Sequence, residues 1–413
     1  MGQHRASADR GAGGGVGASG SRRAARGRRG VSRWVIFAAL SVLLVVAVVV
    51  VWQRLGDHLD RQADDAAAAC VEGTAVVPVV ADPDVAPGLT AIAAAYGKTK
   101  PVVRDRCITV TVRAADARIV LEGLRGRWDT AAMGAYPAAW VPQSSVWSAQ
   151  LMTDRPDAVD GRPESLVTSP VVLAASPEFA DAADSLDWAQ LPALQRGDEG
   201  LTDLGLRGWG SLRMAMPNGP GSDASALAAQ AVAARVLRVS GPLTDDGARS
   251  ARARSSITAL TRPAPRSPDG TPAGAVRVIA EASDAADAPI HVVPITEQKL
   301  YQLTRPDAES PVSGTQIRAV RPTGATPQAD FPVVRLAGDE VSVAASAALA
   351  EFLRFAAQPD QVRALTSLGF RGAAPMPPPT TTVDFPTVAD PMPAPENRAI
   401  VTINRLVYGR AIG

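Results

Sequence analysis

Residues 34–52, WVIFAALSVLLVVAVVVVW, form an uncharged apolar run of 19 residues. As a helix rising ~1.5 Å per residue, such a run crosses the ~30 Å hydrocarbon core of a bilayer. It reads as a transmembrane helix, so the rest of the chain must lie on one side of a membrane or the other. Trp34 and Trp52 stand at its two ends, where indole rings favour the headgroup region, and Arg33 and Arg54 close it. The preceding segment, 1–33, holds eight Arg, no Lys and one Asp, whereas 53–65 carries both signs. The positive-inside bias therefore places the N-terminus in the cytoplasm and residues 53–413 outside, a single-pass plasma-membrane topology. Three processed forms compete with a retained anchor. Ser21-Arg22-Arg23 has some likeness to a twin-arginine export signal, and Ala67-Ala68-Ala69-Cys70 has the small residues of a cleavage site or lipobox. Against them, the apolar run is longer than a signal core, and the charged stretch 53–65 separates it from Cys70.

Segment 1–33 is rich in Gly, Ala, Ser and Arg and has almost no large apolar residue, so it is expected to be a disordered basic tail. Its net charge is +7, which leaves −6 on everything after it, given +1 overall. An acidic outer portion argues against nucleic acid as a partner, and the basic tail reads as a topology signal on the inner leaflet. The two cysteines, Cys70 and Cys107, both fall on the oxidising side, where an even count points to one disulfide. Neither has the spacing of a zinc or redox site.

Beyond a juxtamembrane linker, 53–73, the pattern alternates. Residues 75–81, AVVPVVA, read as a strand, and Leu89, Ile92, Ala93 and Tyr96 recur at helical spacing over 86–96. The β-branched run 107–112 reads as a strand, 119–128 as a helix, 138–142 as a strand and 146–152 as a helix. Residues 165–176, interrupted by Pro170, form a long extended segment suited to crossing between two lobes. There follow a short helix over 188–194, a strand over 209–216, a helix over 224–239 and a surface stretch, 240–274, with one helical portion at 245–260. Strands are expected at 276–280 and 290–295. The second runs through Pro294 into a helix over 296–303, where a second crossing is placed. Extended pieces at 317–322 and 331–336 precede the strongest amphipathic pattern, 346–368, which is broken near Pro359. The C-terminal tail, 373–413, opens with a Pro-rich linker-like stretch, 373–396, and 399–411 reads as one short strand or helix within it.

The segments ADPDVAPGLTAIAAAYG, CITVTVRA, AAWVPQSSVW, SLVTSPVVLA, WGSLRMAMPNGPGSDASALAA, VVPITEQKLYQL, RPTGATPQADFPVV and EFLRFAAQPDQVRALTSLGFR, in this order, resemble the extracellular substrate-binding domain of type 2 periplasmic binding proteins. The actinobacterial branch, often fused to a von Willebrand factor A domain, is the nearest in pattern. The resemblance covers about residues 74–372. It implies an α/β fold of two lobes with two hinge crossings, preceded here by the transmembrane helix. Lobe 1 would comprise about 74–165 and 297–372, and lobe 2 about 170–292. A von Willebrand factor A domain would need an Asp-x-Ser-x-Ser metal site. The nearest run, at Asp223 to Ser225, lies inside the binding-domain match.

In open α/β sheets, ligands sit outside the carboxyl ends of strands, at helix N-termini. Five segments have that form here and supply the candidate ligand-binding residues: Asp82; Ser144 and Ser145; Thr168 and Ser169; Ser222 and Asp223; Thr296 and Glu297. Small hydroxyls and carboxylates suit the role because they add donors and acceptors without filling a cleft. Each also has a plain reading as an N-cap, turn former or strand edge. Trp128, Trp140 and Trp147 are candidates for an aromatic platform, or for core. The three histidines, His4, His58 and His291, fall in unrelated segments and assemble neither a triad nor a metal site. No catalytic residue, metal or cofactor is assigned. The expectation is an anchored, extracytoplasmic, non-enzymatic protein that encloses a small polar ligand, with a transporter or a von Willebrand factor A-type protein as partner. The alternative is a surface interaction module that has kept the fold without solute binding. A cleft plugged by Trp147 or Arg113 would favour the alternative.

Overall fold

The computed structural model describes residues 70–409 except 307 and 309–311, together with Leu44, Val46, Ala47, Val50, Val51 and Trp52. Residues 1–65 and 66–413 are two separate units. Those six N-terminal residues are helical, while the remainder of the expected span 34–52 lies outside the described residues, as does the basic tail. Among the described residues, no helix is long and apolar enough to cross a membrane.

The larger unit opens with β1 (Thr74–Ala81), α1 (Ala86–Lys98), β2 (Val102–Val103), β3 (Arg106–Ala114), α2 (Ala117–Arg125), α3 (Thr130–Met133), β4 (Ala139–Val141) and α4 (Ser145–Asp154). There follow β5 (Glu164–Ser165), β6 (Ser169–Ala175), α5 (Pro177–Ala182), α6 (Leu191–Arg196), α7 (Asp223–Leu237), α8 (Asp245–Arg249), α9 (Ala251–Thr261) and α10 (Pro272–Glu281). The last stretch holds β7 (Val292–Thr296), α11 (Glu297–Thr304), β8 (Arg318–Val320), β9 (Gln328–Ala329), β10 (Pro332–Arg335), α12 (Val343–Ala356), α13 (Pro359–Thr366) and α14 (Asn397–Tyr408).

The strands form two sheets. The first has the order β2-β3-β1-β4-β10-β5, with β1 parallel to both β3 and β4 and with β10 antiparallel to β4. The second is antiparallel, β7-β6-β8 with β9 also paired to β6. The chain leaves the first sheet after Ser165 and re-enters it at Pro332. The return crossing is therefore at 330–331 rather than near Pro294, which sits inside β7 opposite Leu173. The shift has a plain cause: β8 and β9 are short, polar-edged strands that take their partner from β6, a strand buried at every position. Phe331, at the return crossing, adopts a left-handed φ of +36° although it is bulky and fully buried. Such a conformation persists only where packing holds it, and Phe331 is packed edge-on against Phe370.

Two expected strands are not strands. Residues 276–280 belong to α10, whose Thr271 hydroxyl caps Gly274 N–H (3.1 Å) and whose Pro272 stands at the first helical position. Its Ala275, Val276, Ile279 and Ala280 bury one helical face, so the β-branched residues were overridden by capping and packing. Residues 209–216 are loop apart from a bridge between Met214 and Val292, because Gly208 and Gly210 turn the backbone through positive φ. Pro359 splits the amphipathic stretch into α12 and α13.

The segment read as a tail is also different. α14 packs against α4 of the first lobe and against α7, α8 and α9 of the second. It buries Ala399, Ile400, Val401, Ile403, Asn404 and Tyr408. Its apolar residues at helical spacing were legible, but the Pro-rich stretch before them obscured that the chain returns to the fold. Cys70 and Cys107 are bonded, Cα to Cα 5.2 Å, joining the entry to β1 with β3.

Candidate functional site

The loops after β1 and β4 and the loop before α7 meet where the two lobes face each other. Ser144 ends the β4 loop and caps α4, its hydroxyl oxygen accepting from Val146 N–H (3.2 Å). The same hydroxyl donates to Asp223 (2.6 Å), the first residue of α7 in the other lobe. The Trp147 indole N–H donates to the second Asp223 oxygen (2.6 Å), and the Gln143 side-chain carbonyl accepts from Asp223 N–H (3.2 Å). The aspartate is thus held from the first lobe by three residues at the start of α4, Gln143, Ser144 and Trp147. Tyr408 of α14 stacks on Trp147 with ring centres 5.4 Å apart, and its hydroxyl donates to the Ser222 carbonyl (3.1 Å). The Arg118 guanidinium lies over both rings, 5.2 Å from Trp147 and 4.9 Å from Tyr408, and donates to the Asn218 carbonyl.

Burial pushes the Asp223 carboxyl up to about 7, against the pull of the hydrogen bonds from Ser144 and Trp147. Burial also holds Asp82 well above the usual carboxylate range, reinforced by the charges of Asp84 and Asp223. Two buried acids close to one another at the seam favour the proton-bearing form of at least one of them. Beside them, Asp84 pairs with Lys299 (2.5 Å) and accepts from the Gln143 amide (3.3 Å), a further tie between the β1 loop and α11. Burial alone would lower Lys299, but the charge and hydrogen bond of Asp84 outweigh it and raise it.

Of the candidate residues, Asp82, Ser144, Ser222 and Asp223 are all buried at this seam. Ser222 turns its hydroxyl back to the Gly219 carbonyl. Ser145 faces elsewhere: its N–H (2.6 Å) and hydroxyl both donate to Asp330 at the return crossing. Thr168 exchanges backbone hydrogen bonds with Arg371, and the Ser169 hydroxyl accepts from Gln298 N–H (3.0 Å). Thr296 caps α11 through Lys299 N–H (3.3 Å). Glu297 is fully buried and paired with Arg371 (2.6 Å) and Arg321 (3.0 Å), so its charge is already matched. Sequence reading missed Gln143, Arg118 and Tyr408. The first two gave no signal apart from position, and Tyr408 lay in the presumed tail. Of the three tryptophans, Trp140 is core, Trp128 donates to the Gly134 carbonyl (2.8 Å), and Trp147 alone reaches the seam.

Apolar packing also spans the seam. A single hydrophobic cluster takes in Val77, Trp140 and Trp147 from the first lobe and Leu173, Ala228 and Val232 from the second. No group of three or more His, Cys, Asp or Glu able to hold a metal ion occurs among the described residues.

Two α/β lobes joined by paired crossings, with helix N-termini meeting between them, define a type 2 periplasmic-binding-protein fold. Residues 77–371 match the family of bacterial extracellular solute-binding proteins, and the chain belongs to that family. Uncharacterized proteins from two strains of Mycobacterium tuberculosis are 36% identical over 366 residues, covering 89% of this chain and 52% of theirs. The chain thus spans about half the length of the curated relatives it matches. Among solved structures, a ferric binding protein from Campylobacter jejuni aligns with a TM-score of 0.54 at 11% identity, covering 82% of this chain and 99% of that one. A Trichodesmium protein in complex with iron and citrate aligns with a TM-score of 0.54 at 9% identity, covering 80% and 99%. These likenesses concern the fold.

Proposed function

We propose that this chain is an anchored, extracytoplasmic member of the solute-binding family whose inter-lobe cleft is latched shut by its own side chains. Its role is to dock another component of the cell envelope, by binding and not by catalysis. The observation that carries this reading is the occupancy of the seam: Asp223 takes its hydrogen bonds from Ser144 and Trp147, and Tyr408 covers that pair. In a capture protein these are the groups and the volume that a solute would use. The apolar run 34–52 supplies the anchor, with the N-terminus inside, and a transporter or a von Willebrand factor A-type protein is the partner class that this reading retains.

Capture of a small polar solute is the second reading, favoured by the family and by the convergence of Asp82, Ser144, Ser222 and Asp223. A solute would have to displace Tyr408 and part the contacts of Ser144 and Trp147 with Asp223. The iron of the structural neighbours is not carried over, since their likeness is one of fold and no matching donor cluster stands among the described residues. A thermal-shift screen of the full chain against amino acids, sugars, oxyanions and metal ions separates the two. The docking reading expects no compound whose stabilisation disappears in Asp223→Ala, and expects crosslinking in intact cells to give one discrete larger species. A solute that raises the melting temperature by several degrees in the wild type and not in Asp223→Ala overturns it.

A further inference from the structure

A second cavity, of about 770 Å³, lies beside the latched seam and shares none of its acids. It is lined by one face of α4 and by α7, by Thr168 and Asp330 at the two crossings, and by the segment 392–400 that leads into α14. The volume is in the range of sites for small organic molecules.

Its polar lining is unbalanced. Ser148 and Gln230 both line the cavity, are 0% and 1% exposed, and have no hydrogen-bond partner for Oγ and Nε2, respectively. A buried donor left without a partner is costly, so two at one cavity ask for an acceptor inside it. Two guanidinium groups, Arg162 and Arg398, stand exposed in the lining, and no carboxylate pairs with either among the described residues. The two acids of the lining are already engaged. Glu396 accepts from Asp245 N–H (3.0 Å), and Asp330 takes both donors of Ser145. Met152, Leu227 and Ile400 supply apolar wall. The buried groups without a partner are thus both able to donate, the two groups at the cavity without a carboxylate are cationic, and the walls between them are hydrophobic.

We infer that this cavity is a ligand site for a small organic anion, a carboxylate on a compact apolar body, with the acidic group accepting from Ser148 and Gln230 and facing the charge of Arg162 and Arg398, and the body against Met152, Leu227 and Ile400. The site does not rest on the latch, because the seam and this cavity use opposite faces of α4: Trp147 serves one, Ser145 and Ser148 the other. It would serve equally in a docking protein or in one that opens.

Titration calorimetry on the full chain, with 4-phenylbutyrate as probe and 4-phenylbutanol as its uncharged counterpart, tests the assignment. The acid should bind with a Kd tighter than ~1 mM. The alcohol should bind at least ~10-fold more weakly, as should the acid to the Arg162→Ala/Arg398→Ala protein, because charge-assisted hydrogen bonds are lost. Gln230→Leu gives the independent check. It should weaken the acid while leaving the melting temperature of the free protein unchanged or higher, since a merely structural glutamine would lower it when removed. Equal binding of acid and alcohol, no heat with the acid, or unaltered affinity in both variants overturns the assignment.

Discussion

At the level of single residues, the chemistry of the seam is concentrated on Asp223, and its protonation gives a measurable handle. Its carboxyl stands at about 7 in the fold against an ordinary 3.8, with burial as the main cause. Between those values the folded state keeps a proton that the unfolded chain releases. The contribution of this group to stability therefore falls as pH rises from about 4 to about 7 and is flat outside that window. His291 works in the opposite direction over part of the range. Burial, then the charge of Arg213, lowers it to about 4, so its contribution grows as pH rises from there toward 6.5. A comparison with Asp223→Asn isolates the first effect. The wild-type melting temperature relative to the variant should be more favourable at about pH 5 than at about pH 8. A difference independent of pH would mean that Asp223 is ionised in the fold throughout.

Among the elements, α14 departs most from what its surroundings suggest. It follows a Pro-rich stretch, yet it buries Ile400, Ile403 and Tyr408 against helices of both lobes, and Asn404 donates to the Val146 carbonyl (2.7 Å). Three buried side chains of this size are together worth ~5 kcal/mol. Removing 397–413 should then lower the melting temperature by ~7 °C and increase the accessibility of Trp147 to an aqueous quencher. An unchanged melting temperature would show that the helix is ornamental. The elements that were legible from sequence are those with strong local signals: β1 and β3, α1 with its regular apolar spacing, and the break at Pro359. The failures have equally local causes. Over 276–280 three β-branched residues sit on a helix set by Thr271 and Pro272, and at 209–216 Gly208 and Gly210 carry the chain through turns that alternating hydrophobicity does not reveal.

For the whole molecule, one covalent tie complements the non-covalent ones. The Cys70–Cys107 bond spans 37 residues and links the chain's entry into the fold to the start of β3 in the first sheet. In the chain-entropy view, closing such a loop destabilises the unfolded state by ~3–4 kcal/mol. Thiol labelling of the native protein should find neither cysteine without a reductant, and reduction or Cys70→Ala should lower the melting temperature by several degrees. Labelling of both thiols in untreated protein would remove the bond from the account. The candidate site was legible only in part. Asp82, Ser144, Ser222 and Asp223 follow from the rule that ligands gather at strand ends. That rule does not say whether the gathered groups face a solute or each other.

The sequence by itself determined the strand–helix alternation of the first lobe, the disulfide and the family, because apolar periodicity, cysteine placement and turn residues act over a few positions along the chain. Only the tertiary structure decided that the second crossing lies at 330–331, that the last helix returns to both lobes, and that the cleft is filled from within. Each of those depends on which distant surfaces meet. A buried strand such as β6 or an indole such as that of Trp147 takes whatever complementary partner the fold brings within a few ångströms, and nothing in the local sequence names it.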